Sequence, residues 1–344
     1  LMYRSTLRFQ NFLRLVYEQF FIQIRVFGQA LISAFYLYSK RTSMPWTGEL
    51  IAIGTVFCWT ISIQFFEAAS KRIGAIAVNI IRLTSALILF SLFLFYRQGH
   101  ILPVQFPAHA WFYLSLSGII GFFIGDIFLF KALVENGPRV TMLIFSLSAP
   151  TAALIGWSLL DEVYVLHQWA GMFVTLLGVG IVILERNQKA SKLKIRGITL
   201  KGTLFGFGAM FGQACGYILS KTGMQTESGY LDPFSATQIR ALAAFMCFLI
   251  FFTATGKWGI VKTAVKDKKA VVFTTIGSAI GPFLGVSLSL MVLHYLTTGV
   301  ASTFLSLVPV FIIPFSIFLH KEHVSIRAFA GAVIAVFGIY LLMM

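Results

Sequence analysis

Residues 118–182 return 160 positions later as 278–342, without a gap. Gly121 falls on Gly281, Gly125 on Gly285, Ser146 on Ser306, Glu162 on Glu322, Gly171 on Gly331 and Gly178 on Gly338. Upstream the register slips. Gly48 and Gly54 meet Gly202 and Gly208 at a shift of 154, and Arg82 meets Arg240 at 158, which puts an insertion of about four residues near 228–232. A chain that contains itself twice folds as two related halves. Two copies are too few for a stacked array, which needs more repeats to bury its faces.

The background of the repeat sets its solvent. Hydrophobic residues make up 58% and charged residues 11%, against about 25% charged in a soluble domain. Mean hydropathy is +0.86. A helix needs roughly 20 mostly apolar residues to cross a bilayer. Such stretches lie near 48–66, 73–96, 110–134, 139–160, 167–184, 200–222, 234–254, 270–293, 298–319 and 325–343. Five spans per half is an odd number, so the second half enters from the opposite side. The expected fold class is an all-α integral membrane protein, with ten transmembrane helices as two inverted five-helix repeats. Its pseudo-two-fold axis lies in the membrane plane, an arrangement typical of secondary transporters with a midplane site. The expected layout is an N-terminal extension at 1–46, a first repeat at 47–185, a basic connection at 186–199 and a second repeat at 200–344.

A formal net charge of +15 raises nucleic acid as a partner, but its distribution argues against it. The bases cluster in short connections: Lys71 and Arg72, then Arg186 to Lys201, then Lys257 to Lys269. There they set orientation and meet anionic lipid. They fall on the odd-numbered connections, so positive-inside reasoning puts that side in the cytoplasm and both ends of the ten-span unit outside. Cys58, Cys215 and Cys247 lie within spans without CxxC spacing and read as small apolar residues. The apolar run 26–38 is too short to span. Met44, just before Pro45-Trp46-Thr47-Gly48-Glu49, is a plausible start, leaving 1–43 upstream of it.

The same residues resemble a known family. Gly48-Glu49-Leu50 opens the first span, which holds Trp59, and Asn79-Ile80-Ile81-Arg82-Leu83 lies in the second. Gly121-Phe122-Phe123-Ile124-Gly125-Asp126 follows in the third, then Ser148-Ala149-Pro150, Leu160-Asp161-Glu162 and Gly171. Leu307-Val308-Pro309, Lys321-Glu322 and Gly331 echo them. In this order, twice over, they resemble the EamA-like branch of the drug/metabolite transporter superfamily. The resemblance implies a ten-helix carrier of small metabolites, often an exporter, driven by a gradient. It also implies both ends in the cytoplasm, opposite to the charge count.

Charged groups inside spans are costly and mark cavities or partners. Asp126 and Lys131 lie in span three, where the repeat places Val286 and Met291, so packing symmetry does not require them. They serve either substrate binding and proton coupling or an internal Asp–Lys or Asp–Arg pair. Arg82 and Arg240 occur in both halves and serve either packing or anion recognition. Pro150, Pro309 and Pro314 break helices and can free carbonyls. Beside them Ser146, Ser148, Ser302 and Ser306 either line a midplane site or bond back to their own helices. Trp59, Gln213, Tyr217 and His294 complete the polar and aromatic set. Glu162 and Glu322 read as caps for the helices that follow them. Small-residue pairs such as Gly121–Gly125 and Gly281–Gly285 allow close helix approach, as sliding surfaces or as a homodimer interface.

The sequence lacks a G-x-x-x-x-G-K-[ST] phosphate loop, H-E-x-x-H and G-x-S-x-G. It therefore predicts no cofactor, no catalytic set and no metal, with His320 and His323 read as a hydrated boundary. The leading expectation is a secondary transporter in the plasma or inner membrane, exporting a small polar metabolite such as an amino acid. Phosphorylated or nucleotide-linked sugars are the alternative cargo, suggested by Arg82, Lys131 and Arg240. A membrane-embedded enzyme or a non-transporting assembly partner is the other class.

Overall fold

The computed structural model describes residues 46–185, 199–227, 229–313 and 325–344. Within them the helices are α1 (Thr47–Ile73), α2 (Ala75–Gln98), α3 (Ala108–Gly137), α4 (Val140–Leu159), α5 (Leu166–Glu185), α6 (Leu200–Met224), α7 (Pro233–Thr255), α8 (Lys268–Val292), α9 (Thr298–Ile313) and α10 (Ile326–Met343). A short helix, Trp258–Ala264, lies between α7 and α8. Gln225–Thr226 pairs antiparallel with Gly229–Tyr230 in a small ribbon. Among the described residues, eight helices are long and apolar enough to cross a membrane. The two others are α6, which carries Lys201 and Lys221, and α9, described only as far as Ile313.

The surface is what lipid requires. Leu92 is 62% exposed, Phe112 62%, Phe173 64%, Ile250 66% and Phe329 65%. Continuous exposure of this kind in water would drive aggregation, whereas hydrocarbon solvates it. Backbone polar groups are closed within helices, the condition for crossing lipid. Many hydroxyls inside spans bond back to their own helix, as Thr55 Oγ1 does to Ile51 O (2.8 Å) and Thr60 Oγ1 to Val56 O (2.8 Å). Chain breaks fall where the sequence permits them. Gly137, at φ 74°, separates α3 from α4 in a conformation that L side chains rarely adopt.

The repeat appears in the backbone as matching π-helical turns, at Gly118–Gly125 inside α3 and at Ala279–Gly285 inside α8. π-helix is rare and concentrates at functional positions. Each turn packs on the first helix of the other half. A Cβ on Gly212 would stand 3.0 Å from Gly125 Cα, and one on Gly216 3.5 Å from Gly121 Cα. In the mirror contact, a Cβ on Gly285 would stand 3.3 Å from Cys58 Cβ, and one on Gly281 2.7 Å from Ser62 Oγ. These small-residue pairs are therefore used in contacts within the chain.

The last helices of the two halves, α5 and α10, cross with glycines of each against backbone of the other. A Cβ on Gly171 would meet Gly338 O at 2.8 Å, and one on Gly331 would meet Gly178 O at 2.9 Å. The contact is reciprocal under the 160-residue shift, and the two helices run antiparallel. The apolar centre joins Ile80 and Leu83 of α2 to Ala241, Ala244, Phe248 and Phe252 of α7, with Phe122 and Phe123 of the first π turn packed against it.

Candidate functional site

Around that centre the structure sorts the charged residues. Arg82 Nη2 donates to Asp126 Oδ2 at 2.6 Å, with both side chains mostly buried, 17% and 19% exposed. Asn79, one turn before Arg82, approaches the same carboxylate. The Arg82 guanidinium lies 5.7 Å over the Phe66 ring. Asp126 thus takes an arginine and not Lys131. Lys131 is exposed, with its ammonium 5.1 Å over Phe205 of α6.

Arg240 occupies the corresponding place in α7 but differs in company. It is 3% exposed and lies 4.4 Å over the Phe122 ring. Its Nε and Nη1 have no acceptor. Nearby, the Tyr217 hydroxyl of α6 lies close to Gln213 and to Ser289 of α8, whose own hydroxyl donates to Val286 O at 2.7 Å. Trp59 stands across the repeat from Gln213, its Nε1 3.6 Å from where a Cβ on Gly285 would be.

The helix breaks are paired as well. The chain turns at Leu147 and again at Ser306–Leu307. Ser146 Oγ bonds back to Leu143 O at 2.8 Å, and Ser306 Oγ to Thr303 O at 2.7 Å. Ser148 is buried, and Ser302 is buried with no partner for its hydroxyl. Pro150 and Pro309 sit in the first turn of the helix that restarts after each break. A proline costs little there, because its missing N–H would have been unpaired. Pro314, Glu322, His320 and His323 lie outside the described residues. Among the described residues no three His, Cys, Asp or Glu side chains form a group able to hold a metal.

A second polar cluster lies at the connection between α4 and α5. Glu162 is buried and accepts from Lys221 Nζ at 2.7 Å, from Thr298 N at 3.0 Å and from Thr298 Oγ1 at 2.6 Å, with the Tyr164 hydroxyl donating as well. Glu162 is a cap, but for α9, 136 residues away, and not for the α5 that follows it. Its local turn is set by Asp161, at φ 52°. Burial pushes the Glu162 carboxyl up. The Lys221 charge and the hydrogen bonds from Lys221, Thr298 and Tyr164 outweigh burial, and the group titrates below its ordinary range. Burial, followed by the bond to Glu162, raises the Tyr164 hydroxyl. His294 belongs to this end and not to the centre. It stacks on Tyr230 at 4.6 Å, and burial, with a contribution from Lys221 against Asp232, lowers it to about 4.

Sequence reasoning missed Tyr164, Thr298 and Ser289 as site neighbours. The lone base Lys221, in the last turn of α6, is the sequence signal for the Glu162 cluster.

The sequence pattern of the EamA-like transporter family matches residues 46–184 and again 200–344. No curated protein resembles the chain closely enough to match. One solved structure, titled only as the crystal structure of a protein, shares the fold with a TM-score of 0.63. It is 14% identical over 86% of this chain and 97% of that chain.

Proposed function

We propose, from the premise that the chain belongs to the EamA-like transporter family, that it is a secondary transporter exporting a small polar metabolite such as an amino acid by alternating access. Members of the family are membrane transporters, and the chain is a multi-pass membrane protein. We place it in the plasma or inner membrane, with ten spans as two inverted five-helix repeats.

The observation that carries this reading is the reciprocal seam of α5 and α10. Gly171 meets Gly338 as Gly331 meets Gly178, with the helices antiparallel. A two-fold axis perpendicular to both helices relates such a pair, which in a bilayer is an axis in the membrane plane. Halves related in this way can exchange conformations about a central site, opening it to either face in turn. The paired π turns and the matching breaks at Leu147 and Ser306–Leu307 supply irregular backbone in both halves where such a site would lie. Phosphorylated cargo has less support, since Arg82 is already paired and Lys131 is exposed. A membrane-embedded enzyme would need acid, base or metal groups converging near one interface, and the central charges are sparse.

Purified protein in sealed vesicles should move solute from a metabolite panel with no ATP present, because the chain has no phosphate loop. Coupling should appear as a dependence on an imposed pH gradient. Transport that strictly required ATP hydrolysis by this chain would end the proposal.

A further inference from the structure

Arg240 is a buried cation without an anion. Two of its guanidinium nitrogens, Nε and Nη1, lack any acceptor, and no acid among the described residues forms an ion pair with it. One face of the group is covered by Phe122 at 4.4 Å. Gly121 and Gly216 border it, and a Cβ on either would stand 3.5 Å or 3.6 Å from Nη2. An unpaired ion held away from water is strongly unfavourable, and the usual remedy is a counter-charge with hydrogen bonds. The aromatic face offsets part of that cost, but it accepts none of the in-plane N–H groups.

The internal repeat shows what is missing. Arg82, the counterpart of Arg240, holds Asp126 at 2.6 Å. The residue 160 positions beyond Asp126 is Val286. The second half keeps the base and has an apolar side chain where the first half has the acid. If both arginines only braced helices, both would call for the same neutralising partner.

We propose that Arg240 binds the carboxylate of the transported solute, an inference that rests on the transporter reading above. Charge balance selects the class. Arg82 is neutralised by Asp126, and Lys131 is exposed, so among the described residues of the centre one positive charge, that of Arg240, has no counter-charge. A single carboxylate cancels it. A phosphate monoester, at about −1.5 to −2, would leave excess negative charge in a poorly solvated place. The planar guanidinium suits a two-oxygen acceptor. Tyr217, with Gln213 and Ser289 close to its hydroxyl, is the nearest polar group to Arg240 on α6 and would meet the solute's other polar atoms.

The first test needs no substitution. The melting temperature of the purified full chain is measured against amino acids and short monocarboxylates, their carboxamides, and phosphate monoesters of similar size. Free acids should stabilise the protein, with amides and phosphates weaker by about tenfold or more in apparent affinity, as expected for loss of a charged hydrogen bond. Equal binding of acids and amides, or no response to any acid, overturns the proposal.

The second test is Val286→Asp, which puts a carboxylate at the repeat position of Asp126, the partner of Arg82. This variant should fold at least as well as wild type and lose the preference for acids over amides. Retention of that preference overturns the proposal. Arg240→Gln should lose the preference too, and if it fails to fold the decision rests on the other two measurements. Vesicle transport separates the two levels. If amides cross as readily as acids, the chain is a transporter and Arg240 is not its carboxylate site. If nothing crosses, the transporter reading fails and this one with it.

Discussion

Glu162→Ala should be among the most destabilising single changes outside the spans, and the structure gives its size. The side chains of Glu162 and Lys221 are 5% and 12% exposed, so their bond at 2.7 Å lacks the solvent screening that makes surface pairs nearly neutral. Removing one member leaves the other as an uncompensated buried charge, which costs about 3–5 kcal/mol. The carboxylate also holds the first N–H of α9 through Thr298, and a lost cap costs about 1 kcal/mol more. The assay is thermal unfolding of the purified protein for wild type, Glu162→Ala, Lys221→Met and the double variant. Once Lys221 is gone, no orphan charge remains. The double variant should therefore lose less than the two single losses combined, with a coupling of up to about 3 kcal/mol. Strictly additive losses would refute the reasoning. The pH dependence has a definite sign. The carboxyl titrates below its ordinary range, so its contribution is fully present above that range and disappears as pH falls through the lowered value. Wild type should lose stability on acidification where Glu162→Gln does not.

Four further outcomes follow from named residues. Asp126→Asn should abolish pH-driven accumulation while counterflow exchange survives in the same vesicles, and accumulation equal to wild type would remove Asp126 from coupling. Gly178→Ala should destabilise the protein by about 1–3 kcal/mol, because its Cβ would lie 2.7 Å from Ala335 Cα and the α5–α10 seam must open. Gly54→Ala, with nothing within 4 Å in the middle of α1, should instead stabilise by up to about 1 kcal/mol, so thermal melts of the pair give opposite signs. A reporter that works only in the cytoplasm, fused after Met344, should be inactive, because the charge bias puts that end outside, and activity would refute this orientation in favour of the one the family implies.

The helices were legible in the sequence because hydropathy is a local property, and the two halves because a fixed shift of 160 aligns glycines that sit at close helix contacts. The site was legible only in part. Asp126 and Arg82 were each visible as charges within spans, yet their pairing joins residues 44 apart on different helices. Lys131 lies only five residues from Asp126, and five residues rotate a helix by about 140°, which turns the two side chains apart. Ser146 and Ser306 aligned as a repeated polar pair, but whether their hydroxyls faced a cavity or their own backbone was a matter of side-chain torsion. Arg82 and Arg240 looked equivalent. What separates them is the identity of residues 126 and 286 together with the fold that brings an acid to one arginine alone.

The seam between α5 and α10 also sets an order of assembly. A ribosome delivers α5 long before α10, with more than a hundred residues of chain between them. Until α10 is made, Gly171 and Gly178 lack the backbone they pack against. Likewise, the π turn of α3 waits for α6, and α1 waits for α8. Neither half is a finished object that later docks with its twin. Each is completed by helices of the other, so a helix of one half lacks part of its packing until its partner in the other half has been made.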